Sequence, residues 1–289
     1  MRGVLPVPRR QPGGCVSAAD RKGAARINRA NLRDISPRFR HVWFRNLITY
    51  RRIWKVNFMV PLLEPAFYIL AFGLGFSGLI GGVSYAGMEL EYTAFMAPAL
   101  VATACMWNSF FETTYTSFVR MYYQNTFNGI LATPVSVEEI IVAEIVWAAS
   151  KATAAVTVML AVLIPLGFAN FPGALLCIPL AFLGGLAFGS IGMFFTGIIP
   201  SIDMFNLPIF LFITPMFLFS GTFFPVSGIP DWAGIFSLAF PLYHLVELTR
   251  FLCIGAMESN PFLNLAYLLL FITVFGYLAL GAMKRRLIK

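Results

Sequence analysis

The sequence predicts an all-α integral membrane protein, and three observations support this fold class. Hydrophobic residues make up 58% of the 289-residue chain and charged residues only 12%, and the mean hydropathy is +0.77. A soluble domain carries about 25% charged residues, so this chain has too few charges to solvate a globular surface. Apolar runs near the roughly 20 residues that a spanning helix needs recur along the chain. We therefore expect several membrane crossings.

Positive charge is concentrated at the start of the chain. Residues 1–56 contain fourteen Lys and Arg against two Asp, so they carry +12, and the other 233 residues sum to −4. Such a block is typical of a nucleic-acid-binding arm or of a cytoplasmic membrane anchor. Because apolar runs follow it directly, the anchor is favoured, with membrane lipids as partners and no nucleic acid.

The chain divides into three parts. Residues 1–36, rich in Arg, Gly, Ala and Pro, are expected to form a disordered basic N-terminal extension. Residues 37–56 alternate aromatic and basic side chains at a helical period, which predicts an amphipathic helix in the membrane interface. Residues 57–289 form the predicted transmembrane domain.

Six apolar runs are long enough to cross a core of about 30 Å at 1.5 Å per residue. They are residues 57–80, 92–118, 140–167, 173–199, 204–224 and 262–283. The N-terminal block and the tail, with Lys284, Arg285, Arg286 and Lys289, are both basic, which predicts an N-in, C-in arrangement. An even number of spans fits this, and the outside loops, such as 81–91, carry little positive charge.

Two connections differ from ordinary loops. Residues 119–139 are cytoplasmic in this arrangement and predict a short helix before Pro134. Residues 225–261 lie outside between spans five and six, yet they are rich in Phe, Leu and Trp. We expect them to enter the outer leaflet as short broken helices, a re-entrant segment that protein or water contacts can stabilise.

The sequence offers little for catalysis or cofactor binding. Residues 73–78, GLGFSG, match a dinucleotide-binding pattern in letters only, because they end a span and do not follow a strand. No GxxxxGK[ST], HExxH or GxSxG motif occurs, and the four cysteines fit no metal pattern. We therefore predict no catalytic, cofactor-binding or metal-binding residues and no enzymatic activity of the chain itself.

Ionisable residues at membrane depth are the unusual polar feature, because charges are costly there and usually indicate function or a buried partner. The intramembrane polar candidates are Glu64, Glu112, Glu144, Lys151 and Asp203. Glu144 and Lys151 are seven residues apart, so they share one face of the third span. Interhelical ion pairs or snorkelling side chains, substrate contact and a proton relay all remain open interpretations.

A stripe of small residues marks the fourth span. It consists of Gly184, Gly185, Gly189, Ser190 and Gly192, and Gly185 and Gly189 form a GxxxG pair. Small residues at this spacing let helices approach closely. The stripe predicts intramolecular helix packing, with a contact between subunits as the alternative.

Five ordered motifs carry a resemblance to a known family. They are LLEPAFYILAFGLG (62–75), FETTYTSFVRM (111–121), TFNGILATPVSVEEIIVAEIVWAASKA (126–152), ITPMFLFSGTFFPVSGIP (213–230) and PLYHLVELTR (241–250). In this order and spacing they resemble ABC-2 type transporter permeases, and within them the NodJ-like branch associated with lipo-oligosaccharide export. The resemblance covers about residues 40–289.

The resemblance implies a homodimer in the bacterial inner membrane, powered by a separate cytoplasmic ABC ATPase subunit, NodI-like, that binds ATP and Mg. It implies that residues 119–139 carry a coupling helix for that ATPase, with Tyr122, Tyr123, Phe127, Ile130, Leu131 and Pro134 at the contact. The re-entrant segment is implied to form an outer gate, with Pro225, Trp232, His244, Glu247 and Arg250.

The function implied is export of an amphipathic lipo-oligosaccharide or glycolipid. Export of a drug or a polysaccharide is the alternative within the family. A membrane-embedded lipid-linked transferase is an alternative of another class, but it would need clustered acid–base or metal-binding residues at one interface. A proton-coupled carrier would more naturally show internal repeats.

Overall fold

The computed structural model of the protein describes residues 36–52, 54, 55, 59, 63, 67, 71, 82–228 and 230–288. The predicted disordered extension lies outside these residues except for Ser36. Most of the predicted first span, 57–80, also lies outside them, including Glu64.

The described residues form helices and one short sheet, in the following order. The elements are α1 Phe39–Arg52, β1 Val83–Tyr85, β2 Met88–Leu90, α2 Tyr92–Tyr123, α3 Thr126–Leu131, α4 Val137–Leu163, α5 Gly173–Ile198, α6 Ile202–Phe219, α7 Asp231–Leu238, α8 Pro241–Ile254 and α9 Pro261–Leu287.

Five of these helices, α2, α4, α5, α6 and α9, are long and apolar enough to cross a membrane. They correspond to predicted spans two to six. The helices α7 and α8 meet at a bend of 84° and would make a further span only if the bent pair counted as one. The chain is therefore a multi-pass, helical membrane protein, and the apolar segment after span five consists of broken helices as expected.

The largest differences from the predicted span boundaries are at the ends of two irregular helices, α2 and α6. The helix α2 was expected to end at residue 118, but it continues through π-helical turns at Glu112–Thr116 and Val119–Tyr123. The helix α6 was expected at 204–224, but it runs from Ile202 to Phe219. Pro208, which cannot donate a backbone hydrogen bond, is followed directly by a π-helical turn in α6.

The loop 81–91 contains a short β-hairpin that the all-α prediction did not include. Val83–Tyr85 pairs antiparallel with Met88–Leu90, and Ala86 and Gly87 form the turn with φ of 51° and 76°. Positive φ at both central residues is the geometry that matches the twist of a two-residue hairpin. The sequence lacked the Asn-Gly or Asp-Gly signal that would have predicted it.

The contacts between the elements define two ends of the molecule, the hairpin end and the basic end. At the hairpin end, the β1–β2 hairpin lies against α8, and the loop before α5 hydrogen-bonds to the end of α8. At the basic end, α1 and α3 lie beside the start of α4, and the last turn of α9 joins them.

The small-residue stripe of α5 lies at the centre of the helix packing. A Cβ added at Gly185 would be 2.6 Å from Cα of Ala149 in α4, and one at Gly184 would be 2.8 Å from Leu245 in α8. Gly192 lies against Thr113 of α2. The prediction of intramolecular packing is confirmed, because larger residues would separate three helices from α5.

Candidate functional site

The structure brings three of the five intramembrane polar candidates together. Glu112 from α2 lies between Glu144 and Lys151 of α4 in a buried cluster near the basic end. Asp203 is exposed in the first turn of α6 and forms no part of this cluster. Glu64 lies outside the described residues. We call this cluster, together with Arg120, Arg45 and Asn46, the charge network.

Glu112 accepts three hydrogen bonds in the charge network. Its carboxylate receives Nη2 of Arg120 at 2.5 Å, Nζ of Lys151 at 2.8 Å and the indole Nε1 of Trp147 at 2.9 Å. Only 3% of the residue is exposed. Its negative charge is therefore compensated by two cations within hydrogen-bonding distance, as a buried carboxylate requires.

Glu144 is the second buried carboxylate. It accepts Nη1 of Arg120 at 2.5 Å, the hydroxyl of Ser117 at 2.7 Å and Nδ2 of Asn46 at 2.9 Å. Arg45 approaches the same carboxylate at 3.8 Å. Glu144 and Lys151 lie on the same face of α4, as predicted. The carboxylates of Glu144 and Glu112 are joined through Arg120.

Arg120 is the residue that sequence reasoning missed. It lies eight positions after Glu112, and in a regular α-helix this spacing would turn it about 80° away from Glu112. The π-helical turns at 112–116 and 119–123 contain more residues per turn and bring both side chains to the same carboxylate cluster. An Arg eight residues from a Glu gives no such signal without those turns.

Asn46 and Arg45 connect α1 to the charge network. Asn46 is 3% exposed, and Trp43 donates from Nε1 to Ser150 on α4 at 3.1 Å. Burial lowers the pKa of the Arg45 guanidinium below its usual range, and the nearby Glu144 opposes this effect. The sequence placed the basic residues of this helix at lipid headgroups, whereas Arg45 faces inward.

The segment between α2 and α4 contains the expected short helix, α3, which ends before Pro134. Tyr122 and Tyr123 are 59% and 65% exposed. Pro134 is exposed as well, whereas Ile130 and Leu131 are half-buried. These residues form one surface at the basic end, which we call the α3 surface.

Phe127 does not belong to the exposed contact residues that the resemblance implied. The resemblance implied an outward-facing contact residue, but the side chain is fully buried in a core cluster with Phe118, Ile140 and Phe205. An amphipathic six-residue helix must bury one face, and the aromatic ring is the largest apolar group available on α3. Phe127 therefore anchors α3 and is not part of its exposed surface.

The α3 surface is hydrogen-bonded to the residues just before α1, and these residues are hydrogen-bonded to α4. Arg38 donates from Nη1 to the carbonyl of Pro134 at 2.7 Å, and Ser36 donates from Oγ to Glu139 at 2.5 Å. Glu139 also completes a capping box with Ser136 at the start of α4. A displacement of the α3–α4 loop would therefore act on α1 and on α4 directly.

The outer-gate candidates at the hairpin end divide into exposed and buried residues. Trp232 is 67% exposed, and Pro225 is half-buried. His244, Glu247 and Arg250 are buried on α8. The ring nitrogens of His244 lie 2.7 Å from Oδ1 of Asn264 and 3.0 Å from the carbonyl of Leu238.

Arg250 is completely enclosed. Its guanidinium donates to the carbonyls of Gly221 at 2.5 Å and Phe95 at 3.3 Å, and it lies 3.8 Å from the centroid of the Phe95 ring. Glu247, 3.8 Å away, accepts the Tyr85 hydroxyl at 2.5 Å. Burial and the neighbouring Glu247 both raise the pKa of the Tyr85 phenol. These contacts fasten the hairpin to α8.

A row of aromatic side chains, exposed at some positions and buried in the core at Phe118 and Phe205, runs from the hairpin end to the basic end, with neighbouring ring centroids 5.1–6.5 Å apart. We call it the aromatic column. Its members are Phe224, Phe223, Phe217, Trp107, Phe111, Tyr115, Phe205, Phe118 and Tyr122. Phe224, Phe111 and Tyr122 are 63%, 38% and 59% exposed. The exposed face of α9 carries mainly aliphatic residues such as Leu263, Leu269 and Leu270.

The arrangement is suited to transmitting movement between helices and to contacting an amphipathic molecule. The described residues contain no group of three or more His, Cys, Asp or Glu that could hold a metal ion. Glu112 and Glu144 are both engaged in ion pairs.

Comparisons with known proteins identify the family. Residues 37–254 match the model of the ABC-2 type transporter family. The chain is 34% identical to Nodulation protein J of Sinorhizobium fredii (strain NBRC 101917 / NGR234) over 247 residues, 86% of this chain and 93% of that protein. It is 33% identical to Nodulation protein J of Rhizobium leguminosarum bv. viciae over 248 residues, 86% of this chain and 94% of that protein.

A more distant relative is described as a multidrug permease. The Probable multidrug ABC transporter permease YbhR of Escherichia coli (strain K12) is 26% identical over 199 residues, 68% of this chain and 54% of that protein. The family match and the Nodulation protein J relatives agree with the helical architecture and with the motifs singled out in the sequence. The chain belongs to the ABC-2 type transporter family.

Proposed function

We propose that the chain is the permease subunit of an ABC exporter in the bacterial inner membrane, acting as a homodimer with a separate NodI-like ATPase. The observation that carries the proposal is a series of hydrogen bonds: the α3 surface is bonded at Pro134 to Arg38, just before α1, and α1 is bonded through Asn46 to Glu144 of the charge network. The sequence has no GxxxxGK[ST] motif, so the phosphate-binding loop for ATP and Mg belongs to the partner.

The proposed orientation places the basic end in the cytoplasm and the hairpin end outside. Arg38, Arg40, Arg51 and Arg52 are exposed on or beside α1, and Lys284, Arg285 and Arg286 form the basic last turn of α9. Cytoplasmic flanks of membrane proteins carry the excess of Lys and Arg. The first span, residues 57–80, completes six crossings in this N-in, C-in arrangement.

The proposed mechanism begins at the α3 surface. Tyr122 and Tyr123 insert into a groove of the ATPase, and the dimerisation of two ATP-bound ATPase subunits moves this surface. Because Arg120 is hydrogen-bonded to Glu112 and Glu144, the movement reaches α2 and α4 together. The two permease copies then separate at their seam, and the substrate passes towards the hairpin end.

The proposed substrate is an amphipathic lipo-oligosaccharide or glycolipid. The aromatic column supports this class, because aromatic faces stack on the apolar faces of sugar rings and also accept acyl chains. The indole of Trp107 and the hydroxyl of Tyr115 add polar atoms among these rings. The resemblance to the Nodulation protein J relatives favours the lipo-oligosaccharide within this class.

Drug export is the second candidate function. The similarity to the probable multidrug permease favours it, and an aromatic surface also binds planar apolar drugs. The two functions differ in the cargo that stimulates the ATPase. A purified complex tested with a lipo-chitooligosaccharide and with a panel of lipophilic cations distinguishes them.

Co-purification of the tagged chain in mild detergent tests the proposal. We expect a stoichiometric ATPase with a phosphate-binding loop, and a complex mass of two copies of each subunit. A chain that stays solitary after chemical crosslinking in the membrane contradicts the proposed ABC exporter. If drugs stimulate the ATPase activity of the complex and lipo-oligosaccharides do not, the cargo is a drug and not a lipo-oligosaccharide.

Cysteine labelling tests the proposed orientation. In a Cys15→Ala background, Ser227→Cys at the hairpin end should react with a membrane-impermeant maleimide from outside the cell. Ala132→Cys at the basic end should react only after permeabilisation. Both positions are exposed, and the three described native cysteines are buried, so background labelling is low. The opposite labelling pattern would mean that the proposed orientation is inverted.

A further inference from the structure

Two cysteines meet at the hairpin end. Cys177 lies in the first turns of α5, and Cys253 is the penultimate residue of α8. Their Sγ atoms are 3.6 Å apart, and both side chains are fully buried. Both are free thiols in the structure.

The backbone around the two cysteines is held in place by other contacts. The amide of Asn170, in the loop before α5, donates to the carbonyl of Cys253 at 2.7 Å. Gly173 lies so close to the carbonyl of Leu252 that an added Cβ would collide with its oxygen. These contacts hold the backbones of the two segments close together, which keeps the two cysteine side chains within reach of each other.

The third described cysteine is in a different environment. Cys105 of α2 is equally buried, but its Sγ donates to the carbonyl of Ala181 at 3.2 Å. The pair does not belong to a metal-binding group among the residues that the structure describes. Cys105 therefore serves as an internal control for a buried thiol without a sulfur partner.

We propose that Cys177 and Cys253 are a disulfide modification site that fastens the bent α7–α8 pair to the start of α5. The proposal rests on the proposed orientation, which places the hairpin end on the outer side, where disulfides form and persist. A disulfide requires about 2.05 Å between the sulfurs. Rotation of the two side chains by a small angle supplies the remaining approach of about 1.5 Å.

The bond forms by thiol–disulfide exchange with a protein disulfide of an extracytoplasmic oxidant. One cysteine thiolate attacks the oxidant's disulfide and gives a mixed disulfide, and the second thiolate then displaces the oxidant's sulfur. The two thiols lose two protons and two electrons, and the oxidant leaves as a dithiol. Because both thiols are buried in the packed protein, the exchange takes place during insertion, before α8 packs on α5.

The bond would stabilise the hairpin end by restricting the unfolded chain, since it closes a long loop between residues 76 positions apart. It would also hold the α8 residues Glu247 and Arg250 in register with the hairpin. The effect expected on reduction is a lower melting temperature, by roughly 5–10 °C. The Cys177→Ala variant should show the same lower value without reductant.

The test is mass spectrometry of the full chain, purified from cells after acid quenching and alkylated under denaturing conditions. We expect a peptide containing Cys177 linked to a peptide containing Cys253, which disappears after reduction. Both Cys177→Ala and Cys253→Ala should abolish it, whereas Cys105→Ala should keep it. The proposal is wrong if both cysteines are alkylated without prior reduction, both in the protein purified from cells and in protein refolded in the presence of oxidised glutathione.

The outcomes separate this proposal from the proposed function. A linked peptide in a chain that binds no ATPase would leave the disulfide site standing and remove the exporter. An ATPase-coupled chain with two free thiols would remove the disulfide site alone. Labelling of Ala132→Cys from outside would remove the orientation on which both depend, and the thiols should then stay reduced.

Discussion

Lys284, in the last turn of α9, forms an ion pair with Glu138, in the first turn of α4, with 2.5 Å between Nζ and Oε1. The side chains are only 10% and 5% exposed. A cation in the last turn and an anion in the first turn also suit the dipoles of the two helices. The pair joins the last span to the start of α4, beside the α3 surface.

Removing one partner of this pair should destabilise the protein. We expect Lys284→Met to lower the free energy of unfolding by about 2 kcal/mol, because the Glu138 carboxylate remains buried without its cation. The double variant Lys284→Met with Glu138→Gln should recover most of the loss. Denaturant titration in detergent measures both. If the double variant loses as much unfolding free energy as the Lys284→Met and Glu138→Gln variants lose together, the two residues do not interact directly.

Arg120 should be the most sensitive member of the charge network. Replacing it with Gln leaves Glu112 and Glu144 without their shared cation, and we expect a loss of about 3–5 kcal/mol in unfolding free energy. Lys151→Gln should cost less, because Lys151 is 21% exposed at its side chain and pairs with one carboxylate only. The matched control is Arg51→Gln, at an exposed position of α1. It should change the free energy of unfolding by less than about 0.5 kcal/mol. Equal effects at positions 51 and 120 would refute this role for Arg120.

The α3 surface and its anchor should respond differently to substitution. Tyr123→Asp should abolish binding of the ATPase while the permease still folds and inserts, because Tyr123 is 65% exposed. Phe127→Ala should lower the unfolding free energy by about 3–5 kcal/mol, because its ring is fully buried. Size-exclusion profiles, melting temperatures and co-purification separate the two effects. Normal ATPase binding by Tyr123→Asp would remove Tyr123 from the proposed coupling contact.

The close packing of α5 predicts a difference between two glycines. In Gly185→Ala the new Cβ meets the backbone of Ala149 at 2.6 Å, so helices must separate, at a cost of about 1–3 kcal/mol. In Gly281→Ala on α9 nothing lies within 4 Å of the new Cβ, so the higher helix propensity of Ala should make the change neutral or slightly stabilising. Melting temperatures of the two variants provide the comparison. A stable Gly185→Ala protein would mean that α4 and α5 do not pack this closely.

The aromatic column predicts which exposed residues contact the cargo. Phe111→Ala should reduce transport of a fluorescent lipo-oligosaccharide into inverted vesicles at least several-fold, because one stacking ring is lost at about 1 kcal/mol or more. Leu269→Ala should leave transport unchanged, because Leu269 is exposed on α9 and lies outside the aromatic column. Basal ATPase activity serves to normalise both variants. Equal transport by the two variants would place the cargo path elsewhere.

The sequence by itself determined the membrane class, the apolar runs that form five long helices, the helix that precedes them and the family. Hydrophobic runs and basic flanks are local properties, and they survive any change in how the helices are arranged. It also selected Glu112, Glu144 and Lys151 as unusual, since charges in apolar runs are visible without a structure. The small-residue stripe on α5 predicted close packing for the same reason.

Only the tertiary structure decided which charges meet and which side chains face inward. Arg120 joins the two carboxylates because π-helical turns change the helix phase by an amount that no single residue encodes. Phe127 turned out to be an anchor because the burial of α3 depends on α4 and α6, which lie elsewhere in the chain. Cys177 and Cys253 are 76 residues apart and come within 3.6 Å only because α8 packs against the start of α5. Such relationships depend on packing between distant segments, and packing is a property of the folded chain.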